Sequence, residues 1–142
     1  MAGDARLIGT WALVATEWKR ADGRHANPFG QGAVGVLTYD AAGNMAAQIM
    51  RADRPSVEEA NAGIEAAMAA AVPGYVAYFG TYEVVEPGLA RHNVVGSAFP
   101  AWVGSTHERR FVVEGDRLTL MQDFVTVDGV AVAASTIWER VA

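Results

Sequence analysis

The side chains of this protein with the widest chemical reach are two histidines, one arginine and two tyrosines: His92, His107, Arg109, Tyr78 and Tyr82. His107 and Arg109 stand two positions apart, and along an extended strand such residues share a face. A guanidinium on that face can fix a carboxylate, carbonyl or enolate oxygen through paired N–H donors. A neutral imidazole beside the cation has its protonated form disfavoured, which suits a general base near neutral pH. Tyr78 and Tyr82 also share a parity and can donate to a ligand oxygen or act as phenolic acids. Each has a plainer alternative. Arg109 can pair with an acid such as Glu17 or be satisfied by water, His107 can be a hydrogen-bonded lining residue, and the tyrosines can bond only to neighbours.

Metal chemistry has little support. His92, His107 and His25 could be imagined as ligands, but there is no short His-x-His or His-x3-His element and there are no cysteines. The absence of cysteine also excludes disulfides and thiolate nucleophiles. No haem and no other cofactor is implied. Net charge is −5, with no basic run longer than Arg109-Arg110, so a nucleic-acid partner is not expected. The first residues lack the apolar stretch of a signal peptide, and no run approaches the roughly 20 apolar residues of a membrane span, which leaves the cytoplasm as the expected location and no membrane as a partner.

The elements that must position these groups follow from periodicity. Alternation over Gly9–Lys19, Ala33–Asp40 and Asn44–Arg51 predicts three strands, the last two joined through Ala41-Ala42-Gly43. A long turn-rich connection with Asn27, Pro28, Gly30 and Gly32 suits a flap over a barrel mouth. Apolar spacing of three and four over Ser56–Val72 predicts one helix, capped by Ser56 and Glu59 and stopped by Pro73-Gly74. Period two then returns in Val76–Glu86, Leu89–Ser97, Ser105–Glu114, Arg117–Phe124 and Ala131–Val141, with Pro87-Gly88, Gly115-Asp116 and Asp128-Gly129 as turns. The expectation is an all-β, eight-stranded antiparallel up-and-down barrel with an α-helix inserted between the third and fourth strands. At 142 residues it forms a single domain, and eight strands leave room for one small ligand.

The ordered series Leu7-Ile8-Gly9-Thr10-Trp11, Gly35-Val36-Leu37-Thr38-Tyr39, Tyr78-Phe79-Gly80-Thr81-Tyr82, Phe99-Pro100-Ala101-Trp102-Val103-Gly104, Asp116-Arg117-Leu118-Thr119-Leu120 and Trp138-Glu139-Arg140-Val141 resembles the lipocalin-like domain family of bacterial proteins. The resemblance implies a closed calycin-type barrel and little about reaction. It also implies that Trp11 seals the barrel floor with Arg140 packed across it, a cation–π gain of about 0.5–2 kcal/mol. One departure is visible: many relatives carry two adjacent histidines near the fifth strand, where this chain has His92-Asn93.

Alternation assigns the inward rows. His107, Arg109, Phe111 and Val113 face in on the sixth strand, Leu118, Leu120 and Gln122 on the seventh, Tyr78, Tyr82 and Val84 on the fourth, and Leu37 and Tyr39 on the second. His92 is placed inward, and Gln48 is a further candidate. This mixture suits a small, largely apolar metabolite with a polar or anionic group, bound inside the barrel. The alternative is a cofactor-independent isomerase, cyclase or dehydratase, in which His107 or His92 moves a proton while Arg109 and a tyrosine hold an oxyanion. A solid barrel is the third possibility, with exposed Trp18 and Phe79 as a partner patch or a homodimer face.

Overall fold

Runs of alternating apolar and polar residues pair edge to edge until the last meets the first, so that every strand has two neighbours. The computed structural model describes residues 4–23, 29–54, 73–126 and 128–142. Its strands are β1 (Gly9–Arg20), β2 (Val34–Tyr39), β3 (Asn44–Met50), β4 (Tyr75–Glu86), β5 (Leu89–Ser97), β6 (Thr106–Glu114), β7 (Arg117–Val125) and β8 (Ala131–Arg140). They form a closed barrel in chain order, antiparallel throughout, with β8 returning to β1. Short 3-10 turns at Ala5–Leu7 and Pro100–Trp102 complete the described elements. The helix expected over Ser56–Val72 and the candidate ligand His25 lie outside the described residues. Among those described, no helix is long and apolar enough to cross a membrane.

The β2–β3 hairpin shows how locally the turns are specified. The Asp40 carboxylate accepts the backbone N–H groups of Ala42 (2.9 Å) and Asn44 (2.8 Å), and Gly43 takes the positive φ of +93° that closes the turn.

One end of the barrel is sealed. Trp11 is fully buried, its indole N–H donates to the Leu7 carbonyl at 2.9 Å, and the Arg140 guanidinium stacks 4.3 Å from its ring. Arg140 also donates to the carbonyls of Ile8 (2.6 Å) and Arg6 (2.7 Å), closing the floor across the chain ends. The glycine of Gly9-Thr10-Trp11 is required there, because its φ is +145° and a Cβ at Gly9 would stand 2.7 Å from the Ala142 carbonyl oxygen. Arg140→Ala is expected to lower stability by about 2–4 kcal/mol, through lost ring stacking and the loss of the donor to the part-buried Ile8 carbonyl. Urea unfolding checks this, and a change under 0.5 kcal/mol would contradict the floor's role.

Two expectations about facing are corrected. Alternation along β1 placed Trp18 outside, yet it lines the barrel interior and packs edge-on against Phe124 at 4.9 Å. The cause is a β-bulge: Leu13 opposes Trp138 and Ala15 opposes Ile137, so Val14 is an extra residue that inverts the parity beyond it. Gln48 is exposed on β3, on the face opposite Met45, Ala47 and Ile49, which are buried. Phe79 is exposed on β4, where its ring lies against Gly96.

Candidate functional site

The barrel is not solid. Above the sealed floor lies a cavity of about 660 Å³. Leu37, Ile49, Val76, Leu120, Phe124 and Trp18 supply much of its apolar wall, and Tyr78, His107, Arg109 and Gln122 are its chemically distinctive polar members.

Register brings the polar groups together. Tyr82 lies opposite His92 across β4 and β5, and His92 lies opposite His107 across β5 and β6, with Arg109 one same-face step further along. His92 is fully buried, and both ring nitrogens are engaged: Nδ1 with the Tyr78 hydroxyl at 2.8 Å, Nε2 with the Tyr39 hydroxyl at 2.6 Å. Burial, and then the charges of Arg109 and His107, hold the His92 pKa down at about 3, so the ring is neutral at physiological pH. Burial likewise drives Tyr39 well above the ordinary phenol range. Tyr78 is raised by burial too, and the charge and closeness of Arg109 oppose that rise.

A neutral imidazole has one N–H and one lone pair. Tyr39 is buried, and its hydroxyl meets no group other than His92 among the described residues. If Nε2 carried the ring proton, the Tyr39 hydroxyl hydrogen would have no acceptor, at a cost of about 1–3 kcal/mol. Tyr39 therefore donates to Nε2, and Nδ1–H donates to Tyr78.

His107 is oriented by the link before its strand. Ser105 Oγ makes a short hydrogen bond to the Trp102 carbonyl, which can only accept. The hydroxyl proton is thus committed, and Ser105 Oγ accepts from His107 Nε2–H at 2.9 Å. Nδ1 of His107 keeps a lone pair with no protein partner among the described residues. Burial, followed by Arg109, lowers the His107 pKa. Trp102 packs 4.7 Å from the His107 ring and 5.7 Å from Tyr78. Phe99 and Trp102, in the link between β5 and β6, thus form part of the cavity wall.

Arg109 carries no carboxylate partner among the described residues, and Glu17 is exposed on β1. Its Nη1 donates to the Glu108 carbonyl at 3.0 Å. The β6–β7 ladder runs only from Arg110–Met121 to Glu114–Arg117, so Thr106–Arg109 part from β7. The gap holds a space of about 380 Å³ that shares His107, Arg109, Met121 and Gln122 with the main cavity. Water can reach the guanidinium there, which explains how an inward arginine persists without an acid.

Of the residues expected at the site, Leu37, Tyr78, His107, Arg109 and Leu120 line the cavity. Tyr39, Tyr82, His92, Phe111 and Leu118 point inward but are not in its wall. The Tyr82 hydroxyl donates to the Asp40 carbonyl at 2.8 Å, beside the β2–β3 turn at the sealed end. Trp18, Phe29, Trp102 and Phe124 line the cavity without having been expected there. Among the described residues, no three His, Asp or Glu side chains cluster as metal ligands.

Residues 8–141 match the family model of the lipocalin-like domain. The chain belongs to the lipocalin-like domain family. It is 34% identical, over 85 residues, to the 4'-hydroxy-3'-methoxypropiophenone carrier protein ppsC of Aspergillus oryzae, covering 54% of this chain and 77% of that protein. A solved structure of the zebrafish ileal bile acid-binding protein with cholic acid aligns over 96% of this chain and 100% of that one, at 12% identity and a TM-score of 0.33, too low to bear on function. Family and cavity together make this lipocalin-like chain a small-molecule-binding barrel in the general sense.

Proposed function

We propose that this lipocalin-like barrel carries a small, largely apolar metabolite whose oxygen-bearing or anionic head lies against Tyr78, His107 and Arg109. The observation that carries the reading is the 660 Å³ cavity, apolar over most of its wall and polar along one strip. The name of the Aspergillus relative supports it, since a phenolic aryl ketone has an apolar ring and oxygen atoms at its ends. Titration calorimetry with 4'-hydroxy-3'-methoxypropiophenone is expected to give saturable one-to-one binding, with the ketone recovered unchanged by chromatography. No heat and no quenching of tryptophan fluorescence by this or simpler aryl ketones would count against a carrier of this class.

One observation favours a second reading, a cofactor-independent isomerase, cyclase or dehydratase. The Ser105 bond leaves His107 Nδ1 unprotonated, as a general base requires, and Tyr78 with Arg109 could hold the resulting enolate. Incubation of the ketone with protein in D2O separates the two. Deuterium entering the carbon next to the carbonyl faster than in buffer, and no longer doing so in His107→Ala, supports the enzyme; exchange at the buffer rate supports the carrier.

A further inference from the structure

The buried Tyr39–His92 pair lies outside the cavity wall, yet its hydrogen bonds decide what the cavity presents. We infer that Tyr39 and His92 form a polarity relay that fixes Tyr78 as a donor to the ligand, so that this subsite selects an oxygen that accepts without needing to donate, such as a ketone carbonyl or an enolate. The inference rests on reading the cavity as a ligand site and deepens that reading.

Tyr39 is 1% exposed and has His92 Nε2 as its hydroxyl partner, so its proton is committed there. The proton of His92 is then on Nδ1 and is donated to the Tyr78 oxygen. The Arg109 charge lies near enough to oppose the rise of the Tyr78 pKa. With its oxygen accepting from His92 Nδ1–H, Tyr78 has its own proton left for the cavity it lines. A ligand oxygen there receives that proton and the nearby guanidinium charge together. An ammonium or amide N–H placed against Tyr78 itself meets that proton and the guanidinium charge and is disfavoured there. Tyr39 and His92 are thus positioning residues, acting through Tyr78.

Two measurements test this. In ligand-free protein labelled with 15N-histidine at neutral pH, His92 should show the proton on Nδ1 and a lone pair on Nε2; the reverse tautomer overturns the relay. Binding is then compared for propiophenone and propylbenzene, which differ at the carbonyl. The wild-type barrel should prefer the ketone. Tyr39→Phe, remote from the cavity, should weaken propiophenone about tenfold and leave propylbenzene within twofold. Equal losses for both probes would assign Tyr39 to packing alone and overturn the inference. Binding of neither probe by the wild type sinks the ligand-site reading and the selectivity claim with it, whereas an Nε2–H spectrum sinks the relay while leaving a ligand site intact.

Discussion

Replacing Arg109 by Met should weaken binding of an oxygen-headed ligand by about ten- to a hundredfold while moving folding stability by less than about 1 kcal/mol. The separation of the two effects is the informative part. An arginine held in a buried ion pair would leave an uncompensated acid behind, and its removal would be strongly destabilising. Arg109 has no such acid among the described residues; it donates to the Glu108 carbonyl beside the polar gap between β6 and β7. Met keeps most of the apolar stem and removes the charge, so the barrel loses little. A ligand carbonyl or anion loses a charge-assisted hydrogen bond, worth about 1.5–3 kcal/mol, which is the source of the expected factor. Calorimetry and urea unfolding on the same variant read both quantities. A second signal needs no ligand. Because the Arg109 charge helps lower the pKa of His92 and His107, the His107 titration followed by NMR should move upward in Arg109→Met. An unmoved titration together with unchanged affinity would remove Arg109 from the site.

His92→Leu should lower stability by about 2–5 kcal/mol at neutral pH, because it strands the Tyr39 hydroxyl and takes away the hydrogen bond that Tyr78 accepts. Tyr39 would be left with no acceptor in a place without solvent, and Tyr78 would lose its interior partner. The same residue sets an acid limit on the wild-type barrel. Its pKa is about 3 in the folded protein against 6.5 as the ordinary value, so between these limits the unfolded chain takes up a proton that the folded one refuses. The contribution is fully present above pH 6.5 and is lost as pH falls toward 3. Its slope approaches roughly 1.4 kcal/mol per pH unit well inside that window. Stability measured from pH 7 down to pH 4 should therefore fall more steeply in the wild type than in His92→Leu, the two curves converging as the medium becomes more acid. Parallel curves would show that His92 is protonated in the folded barrel without penalty, and the neutral bridge between two tyrosines would have to be abandoned.

Much of the barrel was legible because its signals are local. Alternation needs only the residues of one strand, and a turn such as Asp40–Asn44 needs only its own carboxylate and glycine, so strand order and most boundaries come within a residue or two of the structure. The inward facing of Tyr78, Tyr82, His107, Arg109, Leu118 and Leu120 follows from the same parity. Where parity failed, a bulge was the cause: Val14 has no distinguishing side chain, and the extra residue exists only relative to β8. Trp18 is inside for that reason.

Depth along the barrel was equally invisible from one strand. Tyr78 and Tyr82 share a face, but one reaches the cavity and the other reaches the Asp40 carbonyl near the floor, because strand tilt and register set height. The histidines show the divide most clearly. Their types and inward rows could be read from the sequence, but not that His107 lines the cavity while His92 lies behind its wall. The tautomer of each depends on partners from elsewhere in the fold: Tyr39 on β2 and Tyr78 on β4 for His92, the Ser105–Trp102 link for His107. The amino-acid sequence by itself determined which strands exist, how they follow one another and which polar groups turn inward, since period and turn chemistry are properties of short stretches. Only the closed tertiary structure decided that the interior is hollow, how deep each inward group lies and which atoms are left with a proton or a lone pair to offer, since those depend on contacts between residues distant in the chain.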